Sequence, residues 1–199
     1  PPGAGLYLSV IFHPNGAAAP HLTLAAGVAA ATALERVAGR APTLKWPNDL
    51  AYDGRKVGGI LTEARAVSEQ IQTVVVGIGV NLLQRPEDFP GGLRPAATSV
   101  AAATGRWVGK AELAARILDE LDAGHRLLGR DGFAPVAEAW KQRSSTLGRW
   151  VRVMRGDIPV EGVAKDLAAD GSLVIETPAG SVRVHAGEVK EIERTECFL

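Results

Sequence analysis

The sequence predicts an α+β fold in which strands and helices share a first unit and a small β-barrel follows. Strand-like apolar runs are interspersed with helical patterns up to about residue 143, and short strands with close turn signals begin at residue 150. The chain has 199 residues, 46% of them hydrophobic, which suffices for one domain plus a small partner. We therefore divide the chain into a unit of residues 1–146 and a barrel of residues 147–199.

The elements of the first unit follow from apolar periodicity and breaker residues. Residues 6–12 are an apolar, β-branched run that predicts a buried strand. An Ala- and Leu-rich helix is predicted from Pro20 to about residue 38, and because it is apolar on nearly all sides we expect it to pack on both. The remaining predicted elements are strands over residues 43–52, 55–63 and 73–82 and helices over residues 110–128 and 133–143.

A long Pro- and Gly-rich loop and a run of short strands complete the chain. The loop spans residues 84–95, and loops of this length are usually functional or mobile. Short strands separated by glycine-containing turns, the pattern of a small β-barrel, are predicted at residues 150–153, 160–164, 173–175 and 181–184.

Composition and charge exclude several classes of protein. The chain has 22 basic and 22 acidic side chains, and this balance disfavours nucleic-acid binding without excluding it, since a local basic patch could hide in the average. Cys197 is the single cysteine, which excludes a disulfide scaffold. Residues 22–37 are too few and too interrupted by polar residues for a membrane span. The chain opens with Pro1-Pro2-Gly3 rather than Met, so we expect that residue 1 is not the start of the gene product.

A hairpin is predicted around Asp53-Gly54, which lies between two strand-like runs. This pair is typical of a type I′ turn, because both central residues of that turn need positive φ. Counting outward from the turn, we expect Asp49 to lie opposite Gly58 and Lys45 opposite Thr62.

The strand alternation divides this hairpin into two faces. Lys45, Asp49 and Lys56 share one face, and the other face carries the candidate core residues Trp46, Leu50, Tyr52, Val57 and Leu61. The charged face is either a site, where a small residue opposite Asp49 leaves room for a ligand, or a solvated surface with an ion pair. On pattern alone both interpretations stay open.

Two glycines, Gly77 and Gly79, interrupt an apolar strand-like run. Since glycine weakens a strand interior, the pair indicates either close approach of a ligand or tight packing of the strand on a helix. The pair is not a dinucleotide fingerprint, because the third glycine is missing and Pro86 and Pro90 follow where a phosphate-binding helix should begin.

Three motifs in this order resemble the catalytic domain of biotin-protein ligases. They are Lys45-Trp46-Pro47-Asn48-Asp49, then Gly54-Arg55-Lys56-Val57-Gly58-Gly59-Ile60-Leu61, and then Val76-Gly77-Ile78-Gly79-Val80-Asn81. Residues 5–9, residues 97–99 and the tail around residues 187–189 resemble the same family, so the likeness covers essentially the whole chain.

The resemblance implies both a fold and a reaction. Residues 1–146 are expected to form a class II synthetase-like catalytic domain with a mixed sheet and packed helices, and residues 147–199 an SH3-like barrel. Biotin and Mg-ATP are expected to give biotinyl-5′-adenylate and pyrophosphate, after which a lysine of a biotin carboxyl carrier domain attacks the mixed anhydride. The expected small molecules are therefore biotin, ATP and Mg²⁺, and the expected location is the cytoplasm.

The same resemblance implies the roles of individual residues. Lys56 and Asp49 are the expected catalytic residues, Lys56 at the biotin carboxylate and the adenylate phosphate and Asp49 at the metal and ATP. Lys45 is expected to be a further cation at the nucleotide, and Asn81 to join Asp49 in the nucleotide and magnesium site. The expected biotin-binding residues are Lys56, Gly59, Leu61, Gly77 and Gly79.

The resemblance also shows a departure from the family pattern. The family's glycine- and arginine-rich loop, and the Ser/Thr and Gln residues that hold the ureido ring of biotin, precede the segment equivalent to Gly5-Leu6-Tyr7. The chain as given starts too late to contain these residues, so we expect it to bind biotin weakly or to form adenylate poorly.

Three alternative functions stay open at this point. They are a lipoate-protein ligase, a biotin-sensing repressor, and an inactive scaffold that only recognises the carrier domain. DNA binding is expected only if the parent protein has an N-terminal winged helix. Homodimerisation is left open, and no membrane partner is expected.

Overall fold

The computed structural model describes residues 2–13, 21–67, 70–156 and 158–192. The first part of the chain contains β1 (Gly5–Phe12), α1 (Leu22–Ala38), β2 (Thr43–Lys45), β3 (Asp49–Tyr52), β4 (Arg55–Val67), β5 (Gln70–Asn81), α2 (Val100–Thr104), α3 (Lys110–Asp131) and α4 (Ala134–Lys141). The second part contains β6 (Trp150–Arg155), β7 (Ile158–Leu167), β8 (Leu173–Thr177), β9 (Gly180–Val184) and β10 (Val189–Glu191). The predicted helix start at Pro20 lies outside the described residues.

The first sheet confirms the prediction of an α+β fold. Its strand order is β1-β5-β4-β3-β2, and these neighbours pair antiparallel. Parallel pairing within the described ranges is limited to two isolated bridges, Leu44 with Ser144 and Lys56 with Ala97. The strands of this sheet are therefore all antiparallel to their neighbours, and the expected mixed sheet is not found among them.

One face of the first sheet is covered by helices, and no segment within the described ranges covers the other face. On β5 the residues that point towards the helices are 0–2% exposed, namely Val74, Val76, Ile78 and Val80. Helix α1 packs against the strands on one side and against α3 and α4 on the other, as its apolar composition predicts. Among the described residues, no helix is long and apolar enough to cross a membrane.

Strand β1 is buried on one face only, so the prediction of a buried strand is wrong for its other face. Leu6 is buried on the helix side, whereas Tyr7 and Ile11 are 81% and 62% exposed on the open side. The reason is that β1 lies at the edge of the sheet and helices cover only one of its faces. The exposed alternate residues of β1 therefore belong to the face that can hold a ligand.

Residues 43–52, predicted as one strand, form two strands that fold back on each other. β2 ends at Lys45, a turn follows, and β3 begins at Asp49, which lies directly opposite Lys45. Pro47 lies in this turn, where its missing N–H removes no ladder bond. The predicted pairing of Lys45 with Thr62 is therefore wrong, and the turn brings Lys45 next to Asp49 instead.

The predicted register is wrong beyond Val57, because a β-bulge lies at this residue. Ala51 pairs with Lys56 as expected, but Leu50 pairs with Gly58, so Val57 is an extra residue on β4. Asp49 consequently lies opposite Gly59 rather than Gly58.

The same bulge makes the core prediction wrong for one residue of the hairpin. Because an extra residue reverses the side-chain alternation beyond it, Leu61 turns from the predicted core face to the open face, where it is 64% exposed. The other four predicted core residues of this hairpin are buried, namely Trp46, Leu50, Tyr52 and Val57.

The turn of this hairpin is anchored to the end of α1. Asp53 and Gly54 have φ values of 52° and 74°, as a type I′ turn requires. Arg40 donates two hydrogen bonds to the Asp53 carboxylate, and these lower the pKa of Asp53. Tyr52 donates a hydrogen bond of 2.8 Å to the Arg40 carbonyl, and burial raises the pKa of Tyr52 to about 12. The hairpin is thus fixed at the end away from Asp49.

The second sheet has the strand order β10-β6-β7-β8-β9, with antiparallel neighbours. Its buried residues alternate along the strands and include Val151, Val153, Ala164, Leu173 and Ile175. The four predicted short strands fall within β6 to β9. Periodicity missed β10, because three residues are too short to show an alternating pattern.

Trp46 connects the two parts of the chain. Its backbone N–H donates to the Thr146 hydroxyl at 3.0 Å, and its indole N–H donates to the Gly171 carbonyl at 3.2 Å. Residues 44 and 145 are also joined through the backbone. The turn before β8 is therefore docked on the same segment that carries the Lys45 and Asp49 pair.

His21 lies at this same contact and makes it sensitive to pH. Its ring stacks on Phe133 with centroids 3.9 Å apart, and its Nε2 lies 2.9 Å from the Ala169 carbonyl oxygen. Burial lowers the pKa of His21 from 6.5, against the opposing effects of Ala169 and Asp170. The neutral ring is favoured in the folded state, so its contribution to stability is complete above about pH 6.5 and is lost as the pH falls below that value.

We expect the urea midpoint of unfolding to decrease when the pH is lowered from about 7.5 to about 5.5. The fall should be smaller in His21→Gln, whose amide can still donate to Ala169 but does not titrate. The two pH profiles, measured by tryptophan fluorescence, provide the comparison. Equal slopes in the two proteins would assign the pH dependence to other groups.

Candidate active site

A cleft of about 370 Å³ lies on the open face of the first sheet. Strands β1, β4 and β5 form its floor, and the turn before β3 contributes one wall. Its lining residues are Tyr7, Leu8, Ser9, Asn48, Lys56, Gly59, Ile60, Leu61, Gly77, Ile78 and Gly79. All five predicted biotin-binding residues are among them.

The floor of this cleft is backbone because glycines face each other across the strands. Gly79 lies opposite Tyr7 on one side and Gly59 on the other, and Gly77 lies opposite Ser9 and Leu61. Among the residues that the structure describes, a Cβ atom on Gly79 would meet only the Tyr7 ring, at 3.7 Å. The open side of Gly79 is therefore space in the cleft and not packing against a helix.

Lys56 and Asp49 form an ion pair at one end of the cleft. Lys56 Nζ lies 2.5 Å from Asp49 Oδ1, and their side chains are 53% and 25% exposed. A Cβ atom on Gly59 would lie 3.3 Å from Lys56 Cε and 3.5 Å from Asp49 Oδ1. Glycine at this position thus leaves room for the pair. An ion pair this exposed contributes little to stability, so its position at a cleft is the more informative observation.

A second cleft, of about 410 Å³, lies between the turn before β3 and the start of β10. It is lined by Lys45, Trp46, Pro47, Asn48, Asp49, Lys56, Gly187, Glu188 and Val189. Asn48 and Lys56 line both clefts, so the two are adjacent at the lysine. Three of the four predicted ATP-binding residues, Lys45, Asp49 and Lys56, are thereby brought together.

Asn81 lies apart from these three residues. It occupies the end of β5 on the same face as Gly77 and Gly79, but it lines neither cleft. Its Nδ2 donates to the Thr98 carbonyl at 3.1 Å, and its Oδ1 accepts from Gln84 at 3.3 Å. Both ends of the Asn81 amide are therefore engaged within the protein, and its role at the nucleotide stays a prediction.

A magnesium nucleotide fits the chemistry of Asp49. Mg²⁺ in nucleotide sites is usually held by one or two carboxylates together with substrate phosphates, and it does not need a cage made entirely of protein atoms. Asp49 is a partly exposed carboxylate with lysines on both sides, facing a cleft. In the part of the chain that the structure describes, no group of three or more His, Cys, Asp or Glu side chains is placed to hold a metal ion.

The lining residues that the sequence reasoning did not assign to the site include four with polar side chains, Tyr7, Ser9, Asn48 and Glu188. Tyr7 and Ser9 reach the first cleft because they alternate on β1 opposite the two glycines of β5. Asn48 is held by a hydrogen bond from its Nδ2 to the Ile60 carbonyl at 2.8 Å. Glu188 comes from the second sheet. Pairing β1 with β5 and following the alternation of side chains along β1 could have identified Tyr7 and Ser9. Glu188 could not be identified in this way, because its position depends on how the two sheets dock.

Comparisons with known proteins agree with this geometry. Residues 1–81 match the model of the "Biotin/lipoate A/B protein ligase family", and residues 146–190 match the "Biotin protein ligase C terminal domain". A biotin--[acetyl-CoA-carboxylase] ligase of Paracoccus denitrificans is 34% identical over 188 residues, which cover 91% of this chain and 78% of that protein. The bifunctional ligase/repressor BirA of Bacillus subtilis is 32% identical over 190 residues, or 94% of this chain.

The chain spans 58% of the length of that Bacillus relative. Among solved structures, a biotin protein ligase from Aquifex aeolicus superposes with a TM-score of 0.84 at 25% identity, covering 95% of this chain and 83% of that one. The same Aquifex protein in complex with biotin and ATP superposes with a TM-score of 0.80 at 26% identity, covering 94% of this chain and 78% of that one.

Proposed function

Because the chain belongs to the biotin-protein ligase family, we propose that it activates biotin with Mg-ATP and passes biotin to a lysine of a biotin carboxyl carrier domain. The observation that carries this proposal is the glycine-floored cleft that ends at the Lys56 and Asp49 pair and continues into a second, charged cleft. The first cleft suits the flat, largely apolar body of biotin, and the second suits a nucleotide.

The proposed first step joins biotin to AMP. A carboxylate oxygen of biotin attacks the α-phosphorus of ATP, the bond from phosphorus to the bridging oxygen breaks, and pyrophosphate leaves with that electron pair. The attack brings two anions together, so a fixed ammonium group at the shared end of both clefts lowers the barrier. Lys56 is in this position.

The nucleotide end of the site contains the remaining charged groups. Asp49, and by the family likeness Asn81, would hold Mg²⁺, which when bound neutralises charge on the ATP phosphates. Lys45 lies opposite Asp49 and adds a second cation next to the same cleft. Gly59, Gly77, Gly79 and Leu61 would contact biotin, the glycines through their backbone and Leu61 through its exposed side chain.

In the proposed second step, the neutral amine of a carrier lysine attacks the carbonyl carbon of biotinyl-AMP. AMP leaves with the electrons of the anhydride bond, the amide loses its extra proton to solvent or phosphate, and biotinyl-lysine remains. The exposed cleft wall at Tyr7 and Leu61 gives a carrier side chain access to the adenylate. The carrier domain is the proposed macromolecular partner.

Several further features belong to this proposal. Residues 1–146 act as the catalytic domain and residues 147–192 form the described part of an SH3-like C-terminal domain, which the match over residues 146–190 supports. We propose a cytoplasmic location and a homodimer. A second candidate function is repression of transcription, since the Bacillus relatives are ligase/repressors, and DNA binding by the natural full-length protein would support it.

Release of pyrophosphate from ATP tests the reaction. We expect release to depend on biotin and not on lipoate, and biotin to appear on a carrier domain by mass spectrometry. The assay uses the natural full-length protein with the carrier domain of its own genome. Stimulation by lipoate alone would favour a lipoate ligase, and absence of release with either acid would contradict the proposal.

A further inference from the structure

The backbone of Lys56 is not held by β5, its expected neighbour in the sheet. The pairing of β4 with β5 begins only at Gly58, opposite Val80, so Lys56 and the bulged Val57 lie beyond the end of that ladder. On the β3 side the bulge interrupts the pairing immediately after Lys56. Lys56 therefore has a strand partner on one side only, Ala51 of β3, and its other side is not paired with β5.

Residues 96–98 supply this neighbour. The Lys56 N–H donates to the Ala96 carbonyl at 2.7 Å, and the Thr98 N–H donates to the Lys56 carbonyl at 2.8 Å. These two bonds form the isolated parallel bridge between Lys56 and Ala97. The end of the long loop after β5 thus replaces β5 beside the lysine.

Two side chains hold residues 94–98 in place. Arg55 Nη2 donates to the Ala97 carbonyl at 2.7 Å and to the Arg94 carbonyl at 3.3 Å. Asn81 Nδ2 donates to the Thr98 carbonyl. The carbonyls of residues 94, 97 and 98 are therefore fixed by a guanidinium and an amide.

The Arg55 guanidinium is not fully satisfied by hydrogen bonds, a feature that it shares with Arg143. Its Nε is buried and has no hydrogen-bond partner among the described residues. A buried polar atom without a partner costs stability, so a guanidinium is a poor choice for stability alone at this position. Its hydrogen bonds to residues 94 and 97 fit a role in the geometry of the site.

We propose that Arg55 is a positioning residue for Lys56. Its guanidinium holds residues 94–97 so that the loop end serves as the strand that fixes the main chain of the lysine. The inference rests on the proposed function, because it assigns Arg55 to the adenylation step through Lys56. Two backbone hydrogen bonds join the lysine to residues 96 and 98, which directly follow the loop of residues 84–95.

Arg55→Met removes the donors and retains most of the aliphatic length. We expect it to lower the rate constant of biotin-dependent pyrophosphate release by about 10- to 100-fold, since a displacement of about 1 Å at a catalytic group can cost about 100-fold. Arg55→Lys, which retains one charged donor, should recover part of that loss. Arg40→Met, at the other end of the same hairpin, is the matched control and should change the rate by less than about 2-fold.

The effect of Arg55→Met in a Lys56→Ala background separates positioning from a general structural role. If Arg55 acts through Lys56, its loss should change the already slow rate by less than about 2-fold, because effects of coupled residues are not additive. A full 10-fold loss in that background, or no loss in the wild-type background, would overturn the inference.

Hydrogen exchange tests the same inference without the reaction. In Arg55→Met the amides of Lys56 and Thr98 should exchange about 10-fold faster than in the wild type, while the Ile60 amide, bonded to the Asn48 carbonyl, stays unchanged. Unchanged exchange at Lys56 and Thr98 would refute the inference whatever the activity. Absence of biotin-dependent pyrophosphate release in the wild type would instead refute the proposed function.

Discussion

Replacing Lys56 by alanine is expected to slow biotinyl-adenylate formation by on the order of 10²- to 10³-fold, the loss typical of one preorganised charge stabiliser. The reason is geometric as well as electrostatic. Lys56 is the charged residue that lines both clefts together with Asn48, so in the proposed reaction its ammonium would lie where the biotin carboxylate meets the α-phosphate. Its removal leaves the developing negative charge to water and the remaining groups.

The measurement is single-turnover formation of biotinyl-AMP in the natural full-length protein. Lys165→Ala is a suitable control, because Lys165 is exposed on β7 and makes no ion pair within the described ranges. Lys56→Arg retains the charge but changes its shape, and we expect partial activity from it. Near wild-type adenylate formation by Lys56→Ala would remove the lysine from the proposed mechanism.

The Lys56→Ala variant also exposes an unpaired Asp49. The pair is half-exposed on the lysine side, so its loss should change the free energy of unfolding by less than about 1 kcal/mol. A large loss of activity with little loss of stability is therefore the expected signature. A comparable fall in both quantities would indicate that the pair serves the fold.

The β-bulge explains how far the sequence could predict this site. The Asp53-Gly54 turn correctly sets the first pairs of the hairpin, and period-2 alternation correctly assigns Trp46, Leu50 and Tyr52 to the core. An extra residue at Val57 then shifts everything beyond it. No local signal distinguishes a bulge from a regular strand when the following residues are glycines, since glycines have no side chains that would reveal the wrong face.

Leu61 is a second residue whose position the sequence could not decide. Alternation placed it in the core, whereas the family likeness placed it in the wall of the biotin pocket, and the two expectations conflict. The bulge turns Leu61 onto the cleft face, where it is 64% exposed. Its lining position follows from a register shift that depends on the neighbouring strands β3 and β5, which is tertiary information.

The contact between the two sheets could not be predicted from the sequence either. The sequence predicts that Trp46 is a core residue. It does not predict the hydrogen bond from the indole N–H to the Gly171 carbonyl, because the two residues are 125 positions apart in the chain. Glu188 enters the second cleft only because of this docking. Local patterns predict elements and faces, whereas the composition of a cleft between two units depends on their mutual placement.

Replacing Gly79 by valine is expected to weaken biotin binding by about 10- to 100-fold, because overfilling a packed site costs about 1–3 kcal/mol. The cleft floor at this position is bare backbone between Tyr7 and Gly59. A valine side chain would project into the volume proposed for biotin. Gly79→Ala, with one carbon instead of three, should show a smaller loss.

The structure separates this effect from a folding defect. A Cβ atom on Gly79 meets only the Tyr7 ring at 3.7 Å, an ordinary contact, whereas a Cβ atom on Gly58 would lie 2.5 Å from the Gly79 carbonyl oxygen. Gly58 is thus the glycine required by packing, and Gly79 is the one left open for a ligand. We expect Gly79→Val to keep the urea midpoint of the wild type and Gly58→Val to lower it.

Titration calorimetry with biotin in the natural full-length protein measures the loss for Gly79→Val. Thr73→Val places the same side chain on β5 outside the cleft and should leave biotin affinity unchanged. If Gly79→Val bound biotin as the wild type does, biotin could not lie against β5, and the first cleft would lose its assigned ligand. If the variant instead unfolded at lower urea, the two glycines of β5 would be explained by packing, the interpretation that the open space at Gly79 argues against.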